Sequence, residues 1–315
     1  MKIYALDIGG SSLKQALINV NAMEALIVKG FPPLQLSTNL FSDLREIVVS
    51  VTEKALRVES DISTVAISTT GNVDETGLVR RAGHFDGYEN VSWQDILCSK
   101  FTRISRVITV NDGKASTWAE YTANNACTSF AHIVVGTGIG GGIVINGALL
   151  HGSQGAAGSF GHIKVCEESD IHCSCTRVGC VETVASAPAI VRAFKRKSQD
   201  QDTPEPKNFK DITLLAKTDD VTAKEVFREA GTWLGVALSD VMNILNPQIV
   251  TIGGGVVLAA ESISQNNSKN IFLDAAIRSA ESLALRRVAA TTLIQRAKYG
   301  NDGGLVGAAL LAAKK

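Results

Sequence analysis

Residues 2–20 read K-I-Y-A-L-D-I-G-G-S-S-L-K-Q-A-L-I-N-V: an apolar run, a Gly-Gly-Ser-Ser turn and a second apolar run. That is the pattern of a β-hairpin. Residues 132–146, H-I-V-V-G-T-G-I-G-G-G-I-V-I-N, repeat the plan. Two glycine hairpins about 130 residues apart point to a duplicated architecture. A third strand, Q-I-V-T-I-G-G-G-V-V at 248–257, also runs into glycines.

Outward from these turns the chain alternates helix and strand. Helices are expected over 40–57, 114–122, 183–196, 221–245 and 303–313. Strands are expected over 64–71 and 106–112. The long helix 221–245 stops at Asn246-Pro247, where proline cannot continue it. Residues 198–210, S-Q-D-Q-D-T-P-E-P-K-N-F-K, read as an exposed loop. Mixed strands and helices throughout give an α/β class.

The chain has 315 residues, enough for two domains. Lys+Arg and Asp+Glu both total 31, so no basic footprint for nucleic acid or an anionic membrane is present. No apolar run of about 18 residues suggests a membrane span. Met1 leads straight into a strand, with no signal-peptide pattern, so a cytoplasmic address is expected. In that compartment clustered thiols are metal ligands or catalysts more often than disulfides.

The glycine segments share one logic. Glycine brings backbone N–H groups close to a ligand with no Cβ in the way, and open N–H groups at such turns cradle anions. The first segment offers Asp7, Gly9, Gly10, Ser11 and Lys14, the second Thr137 and Gly138, the third Gly254 and Gly255. Asp7 is a hard oxygen ligand suited to Mg²⁺. Taken singly, each is more simply a tight hairpin turn. Three at strand ends, one with an acid just before it, favour a nucleotide site. None fits the Walker G-x-x-x-x-G-K-[ST] pattern or a dinucleotide βαβ unit.

Half of the six cysteines fall in C-S-C-T-R-V-G-C, 173–180, with Glu182 just beyond. Cys173, Cys175 and Cys180 supply three soft ligands, and tetrahedral zinc wants four. His162, His172 and Cys166 compete for the fourth place. No position is left for water, so a structural site is expected; the simpler alternative is a reduced, buried thiol group.

These residues carry a family resemblance. His162 followed by C-x-C-x-x-x-G-C-x-E resembles the ROK family of repressors, uncharacterised reading frames and sugar kinases. So do L-D-I-G-G-S-S-L-K, S-T-T-G-N-V-D near 70, N-D at 111–112, G-T-G-I-G-G-G, G-S-F-G-H at 158–162 and I-G-G-G near 254. The resemblance covers nearly the whole chain. It implies the actin-like ATPase (ribonuclease H-like) sugar kinase fold with an interdomain cleft. The N-terminal domain would span 1–113 plus about 297–315, and the C-terminal domain, with the zinc loop, about 114–296.

The resemblance further implies His162 as the fourth zinc ligand, ATP and Mg²⁺ as cofactors, a small sugar as substrate and a homodimer. It makes Asp112 the general base toward the sugar 6-hydroxyl, with Asn111, His162, Glu182, Gly71 and Asn90 around the sugar. Two positions depart from the family pattern. Ser159 stands where a sugar-binding glutamate is usual, and Thr176 where a glycine is usual. Some bacterial N-acetylmannosamine kinases of the family also lack that glutamate. Two other readings stay open: a catalytically inactive sugar-binding sensor, motivated by Ser159, and a ROK-type repressor lacking its DNA-binding domain.

Overall fold

The computed structural model describes residues 1–21, 24–124, 127–166, 171–198, 206–263 and 270–314. The first hairpin forms as expected, from β1 (Lys2–Ile8) and β2 (Ser12–Asn21), and β3 (Glu24–Gln35) extends it. Next come β4 (Thr64–Thr69), the short β5 (Asn72–Val73), β6 (Val79–Arg81) and β7 (Glu89–Val91), then β8 (Arg106–Asn111). The second hairpin is β9 (Ser129–Val135) and β10 (Ile139–Ile145), followed by β11 (Ala148–Leu149), β12 (Ile249–Gly253) and β13 (Leu293–Arg296).

Two five-stranded sheets have the same plan. One runs β3-β2-β1-β4-β8 and the other β11-β10-β9-β12-β13, while β5, β6 and β7 form a small third sheet. In each large sheet the hairpin partners are antiparallel and the two outer strands are parallel to the first strand of the hairpin. The duplication read from the glycine hairpins is therefore a duplication of whole sheets.

β1 is buried on both faces, as a central strand of a covered sheet must be. Tyr4, Leu6 and Ile8 pack with Leu44 and Val48 of the helix Phe41–Val58. Ile3 and Ala5, on the opposite face by the period of two, pack with Leu305, Val306 and Ala309 of the helix Gly303–Ala313. On β9, Ala131, Ile133 and Val135 face a core with the helix Val221–Leu245, while Phe130 faces the layer shared with the C-terminal helix. Two helices, Asp112–Ala123 and Gly303–Ala313, thus lie in a layer that touches both sheets.

These helices cross at very short range. A Cβ on Gly303 would collide with the Ser116 hydroxyl, and one on Gly307 with the Ala115 carbonyl. Glu120 fixes the approach to the crossing: its buried carboxylate accepts from the backbone N–H of Lys298 at 2.9 Å and of Tyr299 at 2.7 Å.

Several boundaries differ from expectation. β3 was not anticipated, since Gly30, Pro32 and Pro33 break the strand pattern; as an edge strand it tolerates them. The helix expected over 183–196 divides into Glu182–Ala185 and Ala187–Lys197, where Ser186 caps the second piece by accepting from Ala189 N–H. The strands expected to reach residues 71 and 112 end at Thr69 and Asn111. Of the loop expected over 198–210, residues 199–205 lie outside the described residues, and a helix begins at Phe209 under an Asn208–Asp211 capping box.

Candidate active site

Three parallel strands, β1, β4 and β8, end side by side, and their ends carry the polar groups. Asp7 sits in register with Ser68, whose hydroxyl donates to it at 2.7 Å; Lys14 stands 3.6 Å away on β2. Burial nonetheless raises the Asp7 carboxyl above its usual range, against the pull of Ser68 and Lys14. Lys14 also donates to the Asn301 carbonyl at 2.6 Å. Gly304 must be glycine to let the C-terminal helix start here, because a Cβ would stand 2.5 Å from the Asp7 carboxylate.

Asn111 ends β8 and caps the helix Asp112–Ala123, its side-chain oxygen accepting from Lys114 N–H at 3.1 Å. Its amide nitrogen donates to the Gly71 carbonyl and to Asp112 Oδ1, both at 2.9 Å. Both amide donors of Asn111 are thus taken, one of them by Asp112. Asp112 also accepts from Gly113 N–H at 2.8 Å. Burial, with the nearby Asp7 charge second, pushes the Asp112 carboxyl up to about 6.

Two cavities meet at this carboxylate. The larger, about 620 Å³, is lined by Asp7, Gly9, Gly10 and Lys14, by Gly136–Gly140 and by Gly254-Gly255. The smaller, about 300 Å³, is lined by Gly71, Asn72, Asn111, Lys114 and the Gly155–Ser159 loop. Asp112, Ile139 and Gly140 line both. The first turn of the Asp112 helix is pressed onto the second hairpin, where a Cβ at Gly113 would stand 2.7 Å from Gly141 N. Asp112 is therefore held on the wall between the cavities.

The second hairpin turn is closed by Gly136 N–H donating to the Gly138 carbonyl at 2.9 Å. Glu182 braces it from beyond the cysteine segment, Oε2 accepting from Ile139 N–H at 2.8 Å. Glu182 lines the larger cavity and is absent from the smaller one. Gly254 turns the chain at φ +96°, and Gly255 opens a helix facing the same cavity.

His162, Cys173, Cys175 and Cys180 converge, with one ligand atom from each lying within 4.8 Å of all the others. The His162 Nδ1 to Cys173 Sγ distance is 3.4 Å, and Cys175 and Cys180 sulfurs are 3.6 Å apart. His172 is exposed, its ring turned toward the Thr176 carbonyl, and neither it nor Cys166 joins the group. Three thiols and an imidazole in one cluster match the donor set of a structural zinc site. Thr176 takes φ +70° inside the loop, a backbone region unfavourable to a β-branched residue.

Most of the residues singled out from sequence come together; three do not. Asn90 is exposed on β7 and lines neither cavity, because Val91 is the residue that strand buries, and Tyr88 just before it is buried too. Ser11 also lies outside both, its carbonyl bound to Leu36 N–H at 2.9 Å. His162 faces the cysteines and lines neither cavity. Ser159 lines the smaller cavity, but its hydroxyl turns back to the Ala156 carbonyl at 2.7 Å.

Sequence reading missed His84, Lys114 and the Ser116–His132–Thr251 chain. His84 lies against the first turn, where a Cβ on Gly10 would stand 2.5 Å from its ring, and its Nδ1 is 3.3 Å from the Thr70 hydroxyl. His132 spans from Ser116 Oγ, 2.9 Å from Nε2, to Thr251 Oγ1, 2.8 Å from Nδ1. Complete burial lowers His132 to about 4, so it is neutral at physiological pH. His132, Thr251, Lys114 and Ser116 lie in or beside segments singled out from sequence, but nothing local shows which partners they meet; folding brings them together.

Comparison with known proteins agrees with this geometry. The chain is 31% identical over 322 residues to a glucokinase of Halalkalibacterium halodurans, covering 96% of this chain and 92% of that one. It is 32% identical over 319 residues to an N-acetylmannosamine kinase of Salmonella arizonae, covering 99% and 98%. In structure it resembles a ROK family glucokinase from Streptomyces griseus, solved with glucose and AMPPNP, at a TM-score of 0.81 and 26% identity over the full length of both chains. The ROK family model matches residues 3–315, so the chain belongs to the ROK family and has the actin-like ATPase fold of its sugar kinases.

Proposed function

We propose that this sugar kinase transfers the γ-phosphoryl group of ATP to the 6-hydroxyl of a hexose or N-acetylhexosamine, with Asp112 as general base. The observation that carries the reading is that Asp112 is the one carboxylate common to both cavities. Phosphoryl transfer needs donor and acceptor oxygens in line, with a base at the attacking hydroxyl. A carboxylate on the shared wall meets both demands. With its pKa near 6 it is ionised at neutral pH yet basic enough to take a proton in the transition state.

The larger cavity takes the nucleotide: Gly9-Gly10 and Thr137-Gly138 offer backbone to the phosphates, with Lys14 beside them, and Gly254-Gly255 flank the adenosine. Asp7 fits a Mg²⁺ ion, being a buried carboxylate at the phosphate turn; when bound, the ion neutralises charge on the phosphates. The smaller cavity takes the sugar. Zinc held by His162, Cys173, Cys175 and Cys180 staples the segment that carries Glu182 to the second turn. In this reading residues 1–113 and about 297–315 form one domain, about 114–296 the other. They close over the sugar and exclude water, which limits wasteful ATP hydrolysis. A cytoplasmic homodimer is the working assembly.

The test is Mg²⁺-ATP-dependent ADP release across hexoses and N-acetylhexosamines, with the phosphorylated carbon located by NMR and Asp112→Ala run beside the wild type. A 6-phosphate product with a nearly inactive variant is expected. Full activity of Asp112→Ala would overturn the base assignment.

A further inference from the structure

Ser116 lies four residues after Asp112, on the same face of the same helix, and lines the larger cavity. It borders the Asp7 corner of that cavity. A Cβ on Gly303 would stand 2.4 Å from Ser116 Oγ, and one on the next residue, Gly304, 2.5 Å from the Asp7 carboxylate. Other hydroxyls of this helix donate to carbonyls one turn back, Thr117 to Gly113 at 2.6 Å and Thr122 to Trp118 at 3.0 Å. Ser116 makes no such bond among the described residues; its partner is His132 Nε2, 2.9 Å away.

The protons of the chain give this bond a direction. Burial holds His132 well below its usual pKa, at about 4, so its ring is neutral and carries one N–H. Thr251 is completely buried, and among the described residues its hydroxyl meets only His132 Nδ1, at 2.8 Å. The Thr251 carbonyl is farther from Nδ1, at 3.2 Å, and belongs to a strand paired on both sides. A ring proton on Nδ1 would leave the Thr251 O–H without an acceptor, the costly case of an unpaired buried donor. A ring proton on Nε2 satisfies every group. Thr251 O–H then donates to Nδ1, Nε2–H donates to Ser116 Oγ, and the Ser116 proton is turned out of the chain toward the cavity. An acceptor-only ligand group fits it, and at the Asp7 corner that group is a phosphate oxygen.

We infer that Ser116 is a phosphate-binding residue of the larger cavity, and that a relay from Thr251 through His132 aims its hydroxyl proton at a nucleotide phosphate oxygen. His132 and Thr251 are positioning residues, since neither lines the cavity. The inference rests on reading that cavity as the nucleotide site. It adds to the backbone turns a side-chain donor, carried one helical turn from Asp112.

The experiment titrates adenosine, ADP and ATP calorimetrically, with Mg²⁺ and without sugar, into wild type, Ser116→Ala, Thr251→Val and Thr251→Ser. Ser116→Ala is expected to weaken ADP or ATP binding by about ten- to a hundred-fold, the range of a hydrogen bond to a charged group, with adenosine held within about twofold. Thr251→Val leaves Nδ1 only the carbonyl of residue 251 as partner, which moves the ring proton to Nδ1 and turns the Ser116 proton inward. It should weaken ATP by about fivefold or more and spare adenosine, although residue 251 touches no ligand. Thr251→Ser keeps the hydroxyl and should restore the wild-type ratio. Because the ATP-to-adenosine ratio is internal to each variant, a general loss of folding does not mimic the result; Thr251→Ala replaces Thr251→Val if the latter does not fold. An unchanged ratio in Ser116→Ala, or equal losses for adenosine and ATP, would overturn the phosphate contact. An unchanged ratio in Thr251→Val would overturn the relay. A wild type that binds none of the three removes the nucleotide reading of the cavity and this inference with it, an outcome distinct from ATP binding that Ser116→Ala leaves intact.

Discussion

The two large sheets share one strand order but not one chemistry. In the first hairpin the penultimate residue of β1 is Asp7, paired across to Lys14. In the second, the penultimate residue of β9 is Val134, paired across to Gly140. The outermost parallel strand of the first sheet runs into Asp112; that of the second runs into buried Ala297. Both halves thus deliver a turn to the same cavity, yet the carboxylates of those strand ends come from the first half. The second half supplies bare backbone. Repetition of the sheet brings two turns to one cavity, and only one of the two copies places carboxylates at its strand ends.

Asp112→Ala tests this division most severely. It should lower kcat by about 10²–10⁴-fold, the usual range for a general base, while calorimetry still registers acceptor binding. Making the first hairpin resemble the second, by Asp7→Val, should lower kcat/KM for Mg²⁺-ATP by about 10²-fold, a magnitude typical of losing one well-placed electrostatic group. Val134→Ala, at the corresponding place, should stay within about threefold by the same criterion. Equal losses at the two positions would break the comparison.

A pH profile sharpens it. The folded-state pKa of Asp112 is raised, from 3.8 to about 6, and the base acts in its deprotonated form. kcat/KM should therefore be flat above about pH 7 and fall about tenfold per unit below about pH 6. The same shift means that Asp112 in its ionised form costs stability: its destabilisation is absent below pH 3.8 and develops as pH rises toward about 6. A profile without an acid limb near 6 would remove Asp112 from the role.

The two hairpins were plain in the sequence because glycine at a strand end is a local signal. So was the long helix Val221–Leu245, ended by Asn246-Pro247 with Asn246 in the left-handed region at φ +43°. β3 was hidden, since a strand exposed along most of its length has no alternation to read. At the site, Asp7 and Asp112 stood out beside their turns. Lys114 and His84 did not, because the loops they meet, Gly155–Ser159 and the Gly9-Gly10 turn, are distant in sequence. Asn90 was misplaced for the converse reason: an asparagine in a polar loop looks available, but burial of Tyr88 and Val91 decides which way it faces.

Smaller effects belong to the cysteine loop, where side chains rather than backbone build the structure. One zinc per chain should be found by elemental analysis. Its removal, or Cys175→Ser, should lower Tm by about 5–10 °C, corresponding to loss of a few kcal/mol. Thr176→Gly should act in the opposite direction, relieving φ +70° at a β-branched residue and raising stability by about 1 kcal/mol.

The helix Gly303–Ala313 has a consequence in time. The strand that opens the chain, β1, depends for one of its two faces on Leu305, Val306 and Ala309. At a ribosomal rate of about 5–20 residues per second, those side chains emerge about 15–60 s after Ile3 and Ala5. Until then the nascent chain carries an uncovered apolar sheet face that only the synthesis of residues 303–313 can close. Chaperone engagement during synthesis should therefore concentrate on β1, β2 and β4, and a ribosome stalled before codon 303 should hold a chain that proteases still cut in its first sheet.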